Sequence, residues 1–166
     1  MAAPDIVMYE EEFNQIKGII SKLRVDANAK VVFLVDKNGQ QIAAQGEIEN
    51  LDTTSLASLT AGNVAATDGL ARLIGEREFS ILFHEGERDN IHISIVAQRV
   101  ILVVIFDERT SLGLVRLRVR RAMAELDRIF EDIAAKAEKD KQALTSDFES
   151  PFAEITDEDI DRLFSE

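Results

Sequence analysis

His84 and His92 are the two histidines of this chain. They flank the turn-forming stretch Glu85-Gly86-Glu87-Arg88-Asp89. Two imidazoles meeting across a hairpin could share a metal ion or a proton. His84-Glu85 lacks the second histidine of a zinc-binding H-E-x-x-H helix, so both are read as surface strand residues. The acids Asp157, Glu158, Asp159 and Asp161 are not spaced as a calcium loop, which needs a central Gly and a terminal Glu. Cysteine is absent, which excludes disulfides, thiolate nucleophiles and cysteine metal sites. The chain has no G-x-x-x-x-G-K-[ST], G-x-G-x-x-G or G-x-S-x-G sequence. The residues therefore point away from an enzyme, and no cofactor or metal is implied. Arg116, Arg118, Arg120 and Arg121 form the one basic cluster, read as a solvated face, a mate for the acidic C-terminal segment, or a contact for an acidic partner.

The elements that carry these residues follow from the pattern. Phe13, Ile16, Ile20 and Leu23 line one face of a helix over 10–25. Val31–Val35 is a strand, and Asn38-Gly39 turns it into a weaker strand over 41–45. A second helix spans 53–75, capped from Asp52, Thr53 or Thr54 and ended by Gly75. Leu56, Leu59, Ala66, Leu70 and Leu73 line one of its faces. Ala57, Ala61, Ala65 and Gly69 line another. That second face admits a close backbone, either the chain's own sheet or a partner. Strands are predicted over 79–83, over Ile91–Val96 as a half-buried alternation, and over 99–107 as a doubly covered core strand. A last helix spans 111–139. Val115, Leu117 and Val119 alternate with arginines there as in a strand, but helical spacing continues to Ile133. The order αββαβββα predicts an α+β domain with a mainly antiparallel five-stranded sheet.

Charge marks a boundary near the end. The chain of 166 residues carries 31 acids and 19 bases, a net −12. Residues 144–166 hold eight of those acids against the single base Arg162. Such a field argues against nucleic-acid and anionic-membrane partners, and no run is long and apolar enough to span a membrane. The N-terminus carries acids early and lacks a signal-peptide pattern, so a cytoplasmic location is expected. The organisation expected is a domain over 1–139, a polar linker over 140–151 and an acidic amphipathic helix over 152–166. Thr156 with Asp159 resembles a capping box, and Ile155 with Ile160 a hydrophobic staple. Phe152, Ile155, Ile160, Leu163 and Phe164 would be the anchors of a docking helix, since a helix this short is marginal without a surface to pack on.

The order αββαβββα, together with Val7–Phe13, Asp26–Gly39, Asp52–Ala66 and Phe106–Arg116, resembles the Roadblock domains, a family of small dimeric regulators of GTPases. Ser150–Ile155, Asp159–Asp161 and Leu163–Glu166 resemble the tail of its bacterial members that act on a small Ras-like GTPase. The resemblance implies a profilin-like sandwich and no catalytic residue of its own. It implies a homodimer whose two protomers hold one GTP-bound GTPase on paired second helices, through Ala61, Val64, Ala65, Asp68, Gly69 and Arg72. It also implies a tail helix that influences nucleotide exchange, and a role in polarity and gliding motility with enrichment at a cell pole. Two alternatives are a small-ligand sensory domain, for which Asn63 is the polar residue to look at, and a passive scaffold.

Overall fold

The computed structural model describes residues 8–149 and 157–165. Its elements are α1 (Glu10–Asp26), β1 (Val31–Asp36), β2 (Gln41–Gly46), α2 (Thr53–Leu73), β3 (Ile81–Glu85), β4 (Asn90–Val96), β5 (Val100–Phe106), α3 (Leu112–Glu149) and α4 (Asp157–Phe164). The five strands form one sheet in the order β2-β1-β5-β4-β3, with every neighbouring pair antiparallel.

Side-chain alternation sorts the sheet into two cores. Val32, Leu34, Leu102 and Val104 face α1 and α3, where Ile16, Ile20, Val115, Leu126 and Phe130 cover them. Val31, Phe33, Ile101 and Val103 face the other way, beneath Ala57, Ala61 and Val64 of α2. β1 and β5 are covered on both sides, and all seven residues of β5 are buried. Lys136 of α3 donates to Glu12 of α1, joining the two helices on their shared face.

Local signals explain the element ends. Asp52 Oδ1 accepts the Ser55 amide at 3.0 Å and caps α2. The same hydrogen bonds, led by the Ser55 hydroxyl, hold the Asp52 carboxyl below its ordinary range. At the other end Gly75 adopts φ +81°, while Glu76 N–H returns to Ala71 O and Gly75 N–H to Arg72 O. Ser111 Oγ accepts the Leu114 amide and starts α3. At the β1–β2 turn Gly39 takes φ +89°, but Asn38 does not enter the left-handed region. Asp36 Oδ1 instead accepts the amides of Asn38 and Gln40 and shapes a wider turn than the Asn-Gly pair predicts.

Three expectations are corrected. β3 begins at Ile81, two residues later than the apolar run starting at Phe79, because the ladder with β4 pairs Ile81 with Ser94. β4 is covered on both faces: His92 and Ser94 lie under the α1–α3 layer, 1% and 0% exposed. Polar residue type misled there, since the sheet position and not the side chain sets burial. Finally, α3 continues through 140–149, where a polar linker was expected. Its described side chains from Glu138 to Ser146 are all exposed. The segment has no apolar stripe, but its Lys, Glu, Gln and Ala residues propagate a helix already nucleated on the core.

Candidate functional site

α2 is the element whose outer surface is least like a solvent face. Its buried residues are Ala57, Thr60, Ala61, Val64, Thr67 and Ala71. The face that carries its leucines points outward: Leu59 is 72% exposed, Leu70 59% and Leu73 84%. Leu56 is half-buried and Ala66 exposed. The reason is steric. The sheet beneath α2 is filled with Phe33, Val103 and other large or β-branched side chains, so the helix seats its small residues there and turns its large ones away.

Of the two places open to the small face, the chain's own sheet takes Ala57 and Ala61, and this sorts the candidate residues. Ala61 and Val64 belong to the core, 8% and 3% exposed, and cannot present a surface to a partner without unpacking the helix. Ala65, Gly69 and Arg72 are exposed and Asp68 is half-buried. A Cβ built on Gly69 meets nothing within 4 Å, so the spot is open. Asp68 Oδ1 is buried without a hydrogen-bond partner. The residues that sequence reasoning missed as surface are Leu59, Leu70, Leu73 and Ile74, which make the outer α2 face apolar. A lack of charge along that stripe was the available signal. Next to it, β3 is an edge strand whose Ile81 is 50% exposed.

The histidines are not a pair. β3–β4 register sets His84 opposite Ile91 and Phe83 opposite His92, so the two imidazoles leave opposite faces of the sheet. His84 is exposed and meets Asn63 Nδ2 of α2 at 2.9 Å through Nε2. Asn63, the cue for a ligand-sensing pocket, is engaged in this helix–sheet contact. His92, expected at the surface, is buried; Ser94 Oγ lies 3.3 Å from its Nδ1 and its Nε2 has no partner. Burial, and then the charge of Arg116, push the His92 imidazole below its ordinary value, which keeps it neutral. No group of three metal-ligating side chains occurs among the described residues. No helix there is long and apolar enough to cross a membrane.

The C-terminal helix α4 exposes Leu163 and Phe164, 80% and 86%. Phe152, Ile155 and Thr156 lie outside the described residues, as does the side chain of Ile160. Of the basic cluster, Arg116, Arg120 and Arg121 are exposed and Arg118 is half-buried, all on α3.

Residues 17–106 match the Roadblock/LC7 domain, and the chain belongs to that family of regulatory domains. Among solved structures it is similar to MglB of Myxococcus xanthus, at 64% identity over 76% of this chain and 96% of that one, with a TM-score of 0.73. It is also similar to the gliding protein MglB of Thermus thermophilus, at 31% identity over 79% of this chain and 99% of that one, again with a TM-score of 0.73. Profilin IA of Acanthamoeba castellanii shares the fold alone, at 11% identity, covering 67% of this chain and 97% of that one with a TM-score of 0.51. No match emerges among curated protein sequences.

Proposed function

We propose that this chain is a GTPase-activating regulator of an MglA-like small Ras-like GTPase. The observation that carries the reading is the high identity to Myxococcus MglB, which extends over nearly all of that chain. The outer α2 face supports it. Leu59, Leu70 and Leu73 offer an apolar surface, and Ala65 and Gly69 leave room for close approach.

In this reading two protomers pair through α2 and the β3 edge, and the joint surface takes one GTPase in its GTP-bound state. The chain supplies no catalytic group and no cofactor. It binds the GTPase shape in which that protein's own arginine and glutamine are placed for hydrolysis, and so shifts the population toward it. Completing a phosphoryl-transfer site in this way is worth several orders of magnitude in rate. The domain over 1–139 does this work. The segment 152–166, with Phe152, Ile155, Ile160, Leu163 and Phe164 as anchors, docks on the GTPase elsewhere and promotes nucleotide exchange. The cellular setting is polarity and gliding motility, with the protein concentrated at a cell pole.

The test is single-turnover GTP hydrolysis by the cognate GTPase with and without this protein. Acceleration by a hundredfold or more, on the order seen when such sites are completed, is the expected result. Binding without acceleration would make the chain a passive scaffold, and no binding would end the proposal.

A further inference from the structure

A cleft of about 660 Å³ opens at the end of the sheet where β1 begins and β5 ends. Arg24 from the last turn of α1, Lys30 before β1, Asp89 before β4 and the connection from β2 to α2 wall it in. Val31, Leu51 and Ile105 give it an apolar lining. Small-ligand sites have this size and combine an apolar lining with a few placed polar groups.

Internal pairing removes most of the charge of the cleft. Lys30 Nζ meets Asp89 Oδ2 at 3.1 Å, and Arg109 Nη1 meets Glu47 Oε1 at 3.3 Å. The two other charged residues of the lining, Arg24 and Glu49, form no salt bridge among the described residues. One cation and one anion are thus left over on a shared surface.

Arg24 is set in place by the backbone of β2. Gly46 has φ +116°, and a Cβ there would collide with Lys30 O and come within 2.9 Å of Arg24 Nε. Only a residue without a side chain lets the guanidinium lie so close to the strand. Arg24 Nε is buried there without a hydrogen-bond partner. With Nε wedged, the two outer nitrogens of the fork are the donors left for a ligand, and a guanidinium matches the two oxygens of a carboxylate. Glu49 sits on a folded connection. Ile48 N–H donates to Gly46 O at 2.9 Å and Leu51 N–H to Ile48 O at 3.1 Å. Asp52, the cap of α2, comes next.

These charges select the ligand. An anion alone would gain Arg24 but stand beside Glu49 with no cation to offset it. A cation alone would leave Arg24 unpaired. A zwitterion answers both, and an apolar body would cover Val31, Leu51 and Ile105.

We propose that this cleft binds a short apolar peptide of about two residues, with its carboxylate on Arg24, its ammonium on Glu49 and its side chains on the apolar lining. This assignment does not depend on the GTPase reading, since the cleft is built apart from the outer face of α2.

Calorimetric titration of the full-length protein with the dipeptide Val-Leu tests it. Saturable binding is expected with a Kd of about 1 mM or tighter, the scale for a ligand of this size. Val-Leu amide and acetyl-Val-Leu, each lacking one charge, should bind about tenfold more weakly, the scale of one charge-assisted contact. Arg24→Gln should lose the preference for Val-Leu over its amide. Glu49→Gln should lose the preference for Val-Leu over its acetylated form. The variants' melting temperatures, read alongside, confirm that they are folded, and the capped peptides test both charges on the unaltered protein. Three results would overturn the proposal: no saturable binding of Val-Leu up to about 10 mM, capped peptides that bind as well as Val-Leu, or preferences that persist in folded variants. Equal binding of Val-Leu and acetyl-Val-Leu, in particular, would reduce the cleft to a carboxylate site in which Glu49 has no part.

Discussion

Asp127 Oδ1 of α3 accepts the amide N–H of Ala97 at 2.8 Å. Ala97 and Gln98 make the β4–β5 turn with φ of +50° and +59°, a left-handed conformation that non-glycine residues adopt at a cost of about 1 kcal/mol each. The carboxylate thus holds a strained turn against the helix. Asp127→Ala should lower the unfolding free energy by about 1–2 kcal/mol in urea titration. Ala97→Gly should raise it by about 0.5–1 kcal/mol, because glycine adopts that φ freely. An Asp127→Ala variant as stable as the parent would show that the turn holds itself.

Two alanine or glycine positions on one helix should behave in opposite ways. Gly69→Arg enters open space and replaces a poor helix former, so stability should hold or rise slightly. GTPase activation should nevertheless be lost, because a bulky cation stands on the proposed contact face. Ala61→Arg should unfold the domain, since it drives a charge into the core. Thermal melts beside hydrolysis assays separate the two, and full activation by Gly69→Arg would move the contact face elsewhere.

Leu70→Asp with Leu73→Asp probes the outer apolar stripe. Both side chains are exposed, so the melting temperature should change by no more than about 2 °C. Self-association through α2 should fall sharply, which light scattering at low micromolar concentration would reveal. A large loss of thermal stability with no change in mass would assign these leucines to folding instead.

His92 should make the fold acid-sensitive. Its imidazole is held neutral by burial, with a folded-state value below the ordinary 6.5. As pH falls through 6.5, the unfolded chain takes up a proton that the folded chain does not, so stability declines. The decline stops once pH passes below the folded value, and above 6.5 this residue contributes no slope. Urea midpoints between pH 7.5 and 5 should show that component in the parent protein and lose it in His92→Gln.

Deletion of residues 150–166 should leave the dilute protein's mass and melting temperature unchanged, because Leu163 and Phe164 are exposed. Nucleotide release from the GTPase should slow to its unassisted rate in a fluorescent-nucleotide exchange assay. A dilute monomer after truncation would make the tail a structural element.

Much of the architecture was legible because it depends on local pattern. The heptad-like spacing of Ile16, Ile20 and Leu23 marked α1, the run Val100–Phe106 marked the central strand, and Gly75 marked the end of α2. The resemblance to Roadblock domains was carried by short motifs that the structure sets on these same elements. The candidate site was legible only in part. Periodicity places Leu59, Leu70 and Leu73 on one face and Ala57 and Ala61 on another, but it does not say which face is inside.

The amino-acid sequence alone determines the order of the elements, the absence of cysteine chemistry and the concentration of acid in the last residues. These are properties of neighbouring residues and of composition. The tertiary structure decided which stripe of α2 is buried, because a sheet already filled by Phe33 and Val103 accepts alanine and excludes leucine. It decided that His92 is sealed beneath α3 while His84 stays outside, because strand register assigns them to opposite faces. And it brought Lys22 beside Arg118 and Arg128, residues about a hundred positions apart, by packing α1 along α3. Burial and proximity across the chain are set by which surfaces meet, and no local pattern contains that.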